Sequence, residues 1–422
     1  MPSFWVELED DVRVQLFTVG IGLIAWTLGG CGDDDPPAQQ LPVGCDALVE
    51  PSGGDDTESL QTELIQVSAG ETLCLGAGTF SLTRELSLTV RNVTVRGLGM
   101  TRDDVVLDFA GQIDGDDGFT VTADGFTVEN LSVKNTPGNG IVVTGVDGVT
   151  FRNVKVTWDA GSVTENGAYA LYPVSSSNVL IEDCEVIGAA DAGLYVGQST
   201  DIVVRNNEVH GNVAGIEIEN STNAEVYGNH AYDNTAGVLI FVLPNLEKKD
   251  GVRTLVRDNL IENNNRANFA EEGTIVANVP PGTGVLLLAS DETEIRDNMI
   301  MGNEGTGILI VSFVIFRILA PGGMADPETD QWSEWVYVHG NMFSNNGQNP
   351  TEALALFGLP TLEDVVWDGI ENVNGPGAQI CFGNAAGMTY RNINGAEGIM
   401  DTGTHLTDPM VFECDHTSLT FE

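Results

Sequence analysis

The feature that most constrains the fold of this sequence is a short pattern built around two asparagines, which occurs five times. A Val or Ile is followed three residues later by Asn, then two further on by an apolar residue, and three further on by a second Asn. The first Asn of each copy is Asn207, Asn229, Asn259, Asn298 or Asn341, and the second is Asn212, Asn234, Asn264, Asn303 or Asn346. Successive copies are 22, 30, 39 and 43 residues apart. A minimum period of 22 with longer intervals indicates one repeating turn with inserted loops.

The asparagines are predicted to be internal framework. Earlier segments keep the same frame but have Leu131, Val154 or Cys184 at the position of the first Asn. An Asn side chain supplies a donor and an acceptor to backbone groups left unpaired at a bend, and it tolerates left-handed backbone angles. Stacked turns then let each amide bond to the turns above and below. The pattern therefore predicts an asparagine ladder.

A second repeated phase predicts strands. A Gly followed by an alternating apolar segment recurs in most turns, as at 193–196, 215–218 and 307–310. Short apolar runs bounded by Gly, Asn and Asp, without helical periodicity between them, are typical of strands joined by turns. About 22 residues accommodate about three short strands with bends. The sequence therefore predicts an all-β fold, a single-stranded parallel β-helix stabilised by contacts between neighbouring turns.

The repeat resembles the right-handed parallel β-helix proteins of the pectin-lyase-like superfamily. More narrowly, residues 166–313 are similar to a family of exported bacterial β-helix repeat lipoproteins, through the segments 167–173, 191–198, 214–220 and 243–246. The resemblance implies a right-handed β-helix over residues 55–422. The narrower family has no characterised activity. Its members are encoded beside another exported protein of unknown function, which the resemblance makes a candidate partner.

The solenoid is expected to begin with a cap and to carry three insertions. Residues 57–68 have apolar positions at 60, 64 and 67 behind Thr57, which predicts a short amphipathic capping helix. Insertions are expected at about 241–253, 265–283 and 311–336. Two interpretations stay open for them: they form the walls of a binding groove, or they cover apolar surface of the coil.

The N-terminal segments are predicted to lie outside the folded domain. Residues 1–30 include an apolar run that ends at 28–31, a segment that resembles the lipobox of bacterial lipoprotein signal peptides, with Cys31 as the lipidated residue. Residues 31–54 begin as an acidic, proline-containing stretch and are expected to be a flexible tether. Gly rather than Asp after Cys31 favours the outer membrane under the sorting rule of Gram-negative lipoproteins. We therefore expect an exported lipoprotein attached to the membrane by its lipid anchor alone.

The other five cysteines are assigned by their position along the solenoid. Export permits disulfides. Cys45 and Cys74 bracket the first segment, and Cys381 and Cys414 bracket the last, so we expect one disulfide at each end of the coil. Cys184 lies in the ladder phase and is expected to be a buried, inert thiol.

The charge balance excludes one class of partner. The chain has a formal net charge of −45, with 17 Lys and Arg against 62 Asp and Glu. Nucleic-acid binding depends on Lys and Arg that neutralise phosphates, so a nucleic-acid partner is not expected. The same charge disfavours unassisted binding of a polyanionic glycan. A monomer is expected.

Strand alternation places one group of candidate site residues on the outside of the coil. Counted from the Gly of each turn, Tyr172, Tyr195 and Glu217 occupy the same outward position on three consecutive turns, about 4.8 Å apart. Aromatic rings beside carboxylates form a surface that can stack on sugar rings and bind their hydroxyls. The remaining candidates are nearby in the same frame: Asp191, Glu219, Gln198, Asn220 and Trp158.

Three interpretations of these residues stay open. Glu217 and Asp191 are candidates for a catalytic acid/base pair, with the other residues as substrate-binding groups. Alternatively, Glu217, Glu219 and Asp191 are candidate ligands of calcium, the one cofactor that their chemistry suggests. The third interpretation is an ordinary polar surface strand. The catalytic motifs associated with alginate epimerases, polygalacturonases and pectate lyases are absent from the sequence.

Two functions from different classes follow. The first is a lipid-anchored protein that binds or processes an extracellular or cell-envelope polysaccharide; as an enzyme it would be a lyase, a hydrolase or epimerase-like. The second is a non-catalytic scaffold that pairs with another exported protein along the same flank. Fold analogy favours the first.

Overall fold

The fold is a parallel β-helix, as the repeat predicted, and it is right-handed, as the resemblance implied. The structure, a computed structural model, describes residues 41–315, 326–355, 357–375, 377–398 and 401–421. Each turn contributes strands to three rows, and every strand pairs in parallel with the equivalent strand one turn away. The first row holds the Gly-initiated strands, the second row precedes the first Asn of the repeat, and the third row lies between the two Asn.

The strands of the first row are Arg84–Leu88, Asp114–Val121, Ile141–Thr144, Tyr169–Val174, Ala192–Gly197, Ala214–Glu219, Ala236–Phe241, Thr283–Leu288, Thr306–Val311, Val365–Trp367 and Tyr390–Asn392. The second row comprises Ala47–Val49, Thr72–Leu75, Thr94–Gly97, Ser177–Glu182, Thr200–Arg205, Thr222–Tyr227, Val252–Arg257, Asp291–Arg296, Tyr337–His339 and Cys381–Gly383. The third row comprises Gly78–Ser81, Val105–Asp108, Glu185–Ile187, Glu208–His210, His230–Tyr232, Leu260–Glu262, Met299–Met301 and Met342–Ser344, and the long strands Phe126–Lys134 and Asp147–Thr157 pass through the second and third rows. Helical segments are Thr57–Gln66, Arg102–Asp104, Val276–Asn278, Glu352–Ala355, Gly395–Gly398, Thr402–Thr404 and Pro409–Phe412.

Both asparagine columns form ladders inside the coil. In the first column each Nδ2 donates to the Oδ1 of the next turn at 2.9–3.0 Å, and in the second column the same bonds measure 2.9–3.2 Å. Each Oδ1 also accepts a backbone N–H, and each Nδ2 also donates to a backbone carbonyl, as Asn207 does to Ile181. Cys184 continues the first column, since its backbone N–H donates to Asn207 Oδ1 at 2.9 Å. The predicted framework role is confirmed.

The first turn differs in detail from the prediction. The capping helix covers Thr57–Gln66 and buries Leu60 and Leu64 in the interior of the coil. Asp56 rather than Thr57 is the residue that precedes the first helical turn. The strand Ala47–Val49 pairs with Thr72–Leu75, so the coil begins inside the segment 31–54 that was expected to be a tether.

The predicted disulfides both form, Cys45 with Cys74 and Cys381 with Cys414. Cys184 is the free cysteine of the described ranges and is buried, as expected. The predicted signal peptide of residues 1–30, the predicted lipidation site Cys31 and the predicted tether up to residue 40 lie outside the described residues. No helix in the ranges that the structure describes is long and apolar enough to cross a membrane.

The insertions cover the outward face of the first row. Their apolar side chains form one buried cluster with the outward residues of the strands, which places the described parts of all three insertions against the coil. The outward strand residues include Leu239, Leu286 and Leu309, and the insertion residues include Val242, Leu243, Val276, Val279, Phe313 and Ile315. Of the two interpretations, covering of apolar surface is therefore the one observed for these residues.

Candidate functional site

The register of the first row brings the predicted column together. Tyr195 pairs with Glu217 across adjacent strands, and Leu171 pairs with Leu194, which places Tyr172 beside Tyr195. Glu217 in turn pairs with Leu239, the first of the apolar residues that the insertions cover. The predicted alignment is confirmed, and Glu217 lies where the polar part of this face meets the apolar part.

The column is far more buried than the predicted surface strand. Tyr195 and Glu217 are each 3% exposed, and Glu219 is 6% exposed. Tyr172 and Asp191 keep intermediate exposure. The interpretation as an ordinary exposed strand is therefore wrong for Tyr195, Glu217 and Glu219, and the group reaches solvent on the side of Tyr172 and Asp191.

Three tyrosine rings pack together over the acids. The ring centroids of Tyr169 and Tyr172 are 4.5 Å apart with nearly parallel planes, and Tyr195 lies 4.6 Å from Tyr169 and 4.8 Å from Tyr172. Sequence reasoning missed Tyr169, because the outward column was counted two residues after the Gly position and Tyr169 begins the strand. An available signal was the pair of Tyr residues at the two ends of one short segment, 169–172.

The three carboxyl groups share these tyrosines but are unequally satisfied. Tyr169 Oη donates to Asp191 Oδ2 at 3.2 Å, and Tyr195 Oη donates to Glu219 Oε1 at 2.7 Å. Glu219 lies two residues further along the same strand as Glu217, and Glu217 Oε2 is buried with no hydrogen-bond partner among the described residues. We call Tyr169, Tyr172, Tyr195, Asp191, Glu217 and Glu219 the tyrosine–carboxyl cluster.

Burial raises the pKa of all three acids, and repulsion between the acids adds to the shift at Glu217 and Asp191. Burial holds the pKa of Glu217 well above its usual range, and the neighbouring Asp191 and Glu219 raise it further. Burial also raises the pKa of Asp191 to about 7 and raises the pKa of Glu219, while the tyrosine hydroxyls oppose the shift at both. These shifts favour the protonated form of Glu217, and Asp191, with a pKa of about 7, is close to its midpoint at neutral pH.

Three predicted substrate-binding residues serve other purposes in the fold. Gln198 Oε1 accepts the backbone N–H of Glu247 at 2.9 Å, and Asn220 Nδ2 donates to the carbonyls of Leu243 and Lys248 at 2.9 and 2.7 Å. Both side chains thus hold the first insertion, a role that a pattern of strand ends does not reveal. Trp158 is 6% exposed in the interior, and its Nε1 donates to the Thr136 carbonyl at 2.8 Å.

The calcium interpretation gains no support from the geometry. Within the residues that the structure describes, no group of three or more His, Cys, Asp or Glu side chains is arranged to hold a metal ion. Two of the six carboxyl oxygens of Asp191, Glu217 and Glu219 already accept hydrogen bonds from tyrosine hydroxyls.

Comparison with known proteins places the chain by fold. Residues 117–247 match the family described as right handed beta helix region. Comparison with curated proteins gave no significant match.

Among solved structures, the chain is similar to the mannuronan C-5 epimerase AlgE4 A-module of Azotobacter vinelandii, with 18% identity, a TM-score of 0.52, and coverage of 80% of this chain and 94% of that one. The AlgE6 A-module of the same organism matches with 18% identity, a TM-score of 0.51, and coverage of 78% and 90%. The catalytic domain of a GH87 alpha-1,3-glucanase in complex with tetrasaccharides matches with 15% identity, a TM-score of 0.50, and coverage of 82% and 54%. At these identities the likeness is one of fold.

Proposed function

We propose that this protein binds and processes an extracellular polysaccharide at the tyrosine–carboxyl cluster. The observation that carries the proposal is Glu217, a buried acid whose Oε2 has no hydrogen-bond partner among the described residues. Leaving a buried polar group unpaired costs about 1–3 kcal/mol. Strongly perturbed acids grouped at one place are typical of functional sites. A role in chemistry accounts for a cost that a purely structural strand would avoid.

The cluster has the groups that acid–base chemistry on a glycan needs. Protonated Glu217 can donate a proton to an oxygen that develops negative charge, and Asp191, with its pKa at about 7, can accept and return a proton near neutral pH. The tyrosine rings offer aromatic surface with hydroxyls at the edge, which suits sugar rings. Hydrolysis, elimination and epimerisation of a polysaccharide all require such proton transfers.

The fold comparisons support the substrate class. The two epimerase modules are named for mannuronan and the third neighbour is an alpha-1,3-glucanase bound to tetrasaccharides. A shared fold does not carry a shared activity, so this support is analogical.

Charge narrows the substrate further. The pKa values of Asp191, Glu217 and Glu219 are shifted by burial, by tyrosine hydroxyls and by the neighbouring acids. Among the described residues, no Lys or Arg is a cause of these shifts. An anionic sugar ring would face like charge whenever these acids ionise, and repulsion of this kind is a strong discriminator. We therefore propose a neutral or amino-sugar glycan rather than a polyuronate. Because elimination and C5 epimerisation need the acidic C5 proton of a uronate, the reaction proposed on such a glycan is hydrolysis.

We also propose that the protein is exported and anchored in the outer membrane through Cys31. Support comes from the lipobox-like segment 28–31, and the two disulfides suit an oxidising compartment. Metabolic labelling with a radioactive fatty acid tests this: the wild-type chain should be labelled and Cys31→Ser should not. Equal labelling of both would reject the anchor.

The test of the proposed activity is a turnover screen with Glu217→Gln. Wild-type protein is incubated with neutral, amino-sugar and uronate polysaccharides, and products are followed by mass spectrometry and by proton exchange from deuterated water. We expect turnover on a neutral or amino-sugar glycan and a loss of about 100-fold or more in Glu217→Gln.

The matched control is Glu165→Gln, since Glu165 is an exposed acid outside the cluster. It should retain full activity. Equal activity in Glu217→Gln and the wild type would reject the proposed site. Failure of the wild type to bind or turn over any glycan would favour the non-catalytic scaffold, for which co-purification of an exported partner is the positive test.

A further inference from the structure

We propose a second carbohydrate-binding site, in a cleft on the outside of the second row. The cleft has a volume of about 420 Å³ and lies between strands of the second row and residues 415–421, which we call the strap. The volume falls in the usual range of about 300–1,000 Å³ for small-molecule sites. Because the cleft is on a different row from the tyrosine–carboxyl cluster, the proposal does not require that cluster to be catalytic.

The strap is a fixed wall of the cleft. It follows the disulfide between Cys381 and Cys414. Tyr337 Oη donates to Asp415 at 3.2 Å, and the backbone N–H of Leu419 donates to Glu294 Oε2 at 2.6 Å. Further along, Arg253 Nη2 donates to the Thr420 carbonyl at 3.3 Å. Contacts at the start of the strap and near its end fix it against the coil.

Trp335 is the central observation. Trp335 is 44% exposed, although it is a large apolar residue inside a cleft. Its backbone is left-handed, with φ +56, and the same position of the neighbouring turns is also left-handed, at Glu292 and Gln379, so this conformation belongs to the repeat. The N–H of Trp335 donates to the Ala378 carbonyl at 2.9 Å, and its ring lies 5.2 Å from the ring of His416. An indole fixed by the repeat and left exposed in a cleft of this size indicates a ligand that stacks on it.

The remaining groups select a neutral, hydroxyl-rich ligand. Glu294 is 2% exposed, and its carboxylate is already bonded to His339 at 2.8 Å and to the strap. The charged groups that face the opening are Glu292 and Arg253, one of each sign, while Thr417 adds a hydroxyl. An aromatic face beside hydroxyls and one pair of opposite charges suits one or two neutral sugar rings better than a uronate or a polyamine.

The experiment uses Trp335 as its own reporter. Of the described tryptophans, Trp158 and Trp367 are 6% and 2% exposed and Trp332 is partly buried, so a change in the emission of exposed tryptophan reports on Trp335. The full-length protein is titrated with cello-, xylo-, manno- and alpha-1,3-gluco-oligosaccharides, and with oligogalacturonate and oligoalginate. We expect saturable binding of at least one neutral series, seen by fluorescence and by calorimetry, and no binding of the two uronates.

Variants separate this site from the first. Trp335→Ala should weaken calorimetric binding on the order of tenfold or more. Trp335→Phe should retain most of the affinity while losing the fluorescence change. The change in Trp335 emission should persist in Glu217→Gln, whatever that variant does to binding at the tyrosine–carboxyl cluster, so that failure of the cluster and failure of the cleft give different results. Unchanged affinity in Trp335→Ala, loss of the emission change in Glu217→Gln, or no binding by any neutral series would each overturn the proposal.

A stability measurement guards against a folding artefact. Gly accepts φ +56 without strain, so Trp335→Gly should have a melting temperature at least as high as that of Trp335→Ala, while binding is lost in both. A sharp drop in the melting temperature of Trp335→Gly would show that Trp335 is needed for folding and would overturn the assignment to binding.

Discussion

The asparagine ladders and the tyrosine–carboxyl cluster are two sets of buried polar side chains on the same turns, and they are satisfied to opposite degrees. Inside the coil, Asn234 and Asn259 each bond to the turns on both sides and to the backbone. On the outer face, Glu217 Oε2 is buried without a hydrogen-bond partner among the described residues. The difference separates polar groups that build the solenoid from polar groups that we assign to its function.

Repetition explains the contrast. An amide that repeats at one phase offers a donor to one neighbour and an acceptor to the other, so every added turn satisfies the turn before it. Carboxyl groups on adjacent turns offer only acceptors once ionised, so they repel, and one of them must hold a proton. A solenoid can therefore bury a column of Asn at little cost, but not a cluster of acids.

The largest predicted effect is the loss of a ladder residue. Asn259→Ala removes two bonds to neighbouring amides and leaves backbone groups unpaired in the interior, so the free energy of unfolding should fall by about 3–5 kcal/mol. Urea unfolding followed by circular dichroism measures it. Asn278→Ala is the control, because Asn278 is exposed on an insertion; its change should stay below about 1 kcal/mol. Similar losses of unfolding free energy in both variants would show that the ladder asparagines contribute no more to stability than an exposed asparagine does.

In the tyrosine–carboxyl cluster we expect a substitution to raise the free energy of unfolding, the opposite of the effect in the ladder. Glu217→Gln removes a carboxyl that must be kept protonated beside Asp191 and Glu219, so at pH 8 the variant should be more stable than the wild type, by about 1–3 kcal/mol. Thermal unfolding at pH 8 gives the difference. A destabilised variant would mean that Glu217 is a structural residue like the asparagines.

The raised pKa of Asp191 should make the stability of the protein depend on pH. The pKa of Asp191 is raised from 3.8 to about 7 in the folded protein. Between these values the folded state keeps a proton that the unfolded state has released, so the free energy of unfolding falls as pH rises from about 4 to 7. The slope approaches about 1.4 kcal/mol per pH unit. The difference between the wild type and Asp191→Asn isolates this contribution, and a difference that does not change with pH would contradict it.

The smallest effect is predicted at the end of a ladder. Burial raises the pKa of the Cys184 thiol to about 12, so the native protein should not react with a thiol reagent at pH 8. Reaction should require unfolding and proceed at the rate of unfolding. Fast labelling of native protein would show that this ladder position is open to solvent.

The sequence was sufficient to predict the repeating features of the structure, but not the contacts of the inserted loops, which do not repeat. The Asn frame located both ladders and placed Tyr172, Tyr195 and Glu217 on consecutive turns, because register is a consequence of period. Glu217 is buried beside Leu239, the first strand residue that the insertions cover, and alternation alone, which does not show this cover, suggested an exposed strand. For the same reason Gln198 and Asn220 were assigned to a substrate when they hold the first insertion.

The most direct measurement of the central claim is the protonation state of Glu217 at neutral pH. Infrared spectroscopy of the folded protein at pH 7 detects the carbonyl stretch of a protonated carboxylic acid, and the difference spectrum against Glu217→Gln assigns it. The cluster as described predicts a protonated-carboxyl component in the wild type, in addition to that of Asp191, that is lost in Glu217→Gln. Identical spectra, with Glu217 ionised at pH 7, would contradict the claim that this acid is held ready as a proton donor.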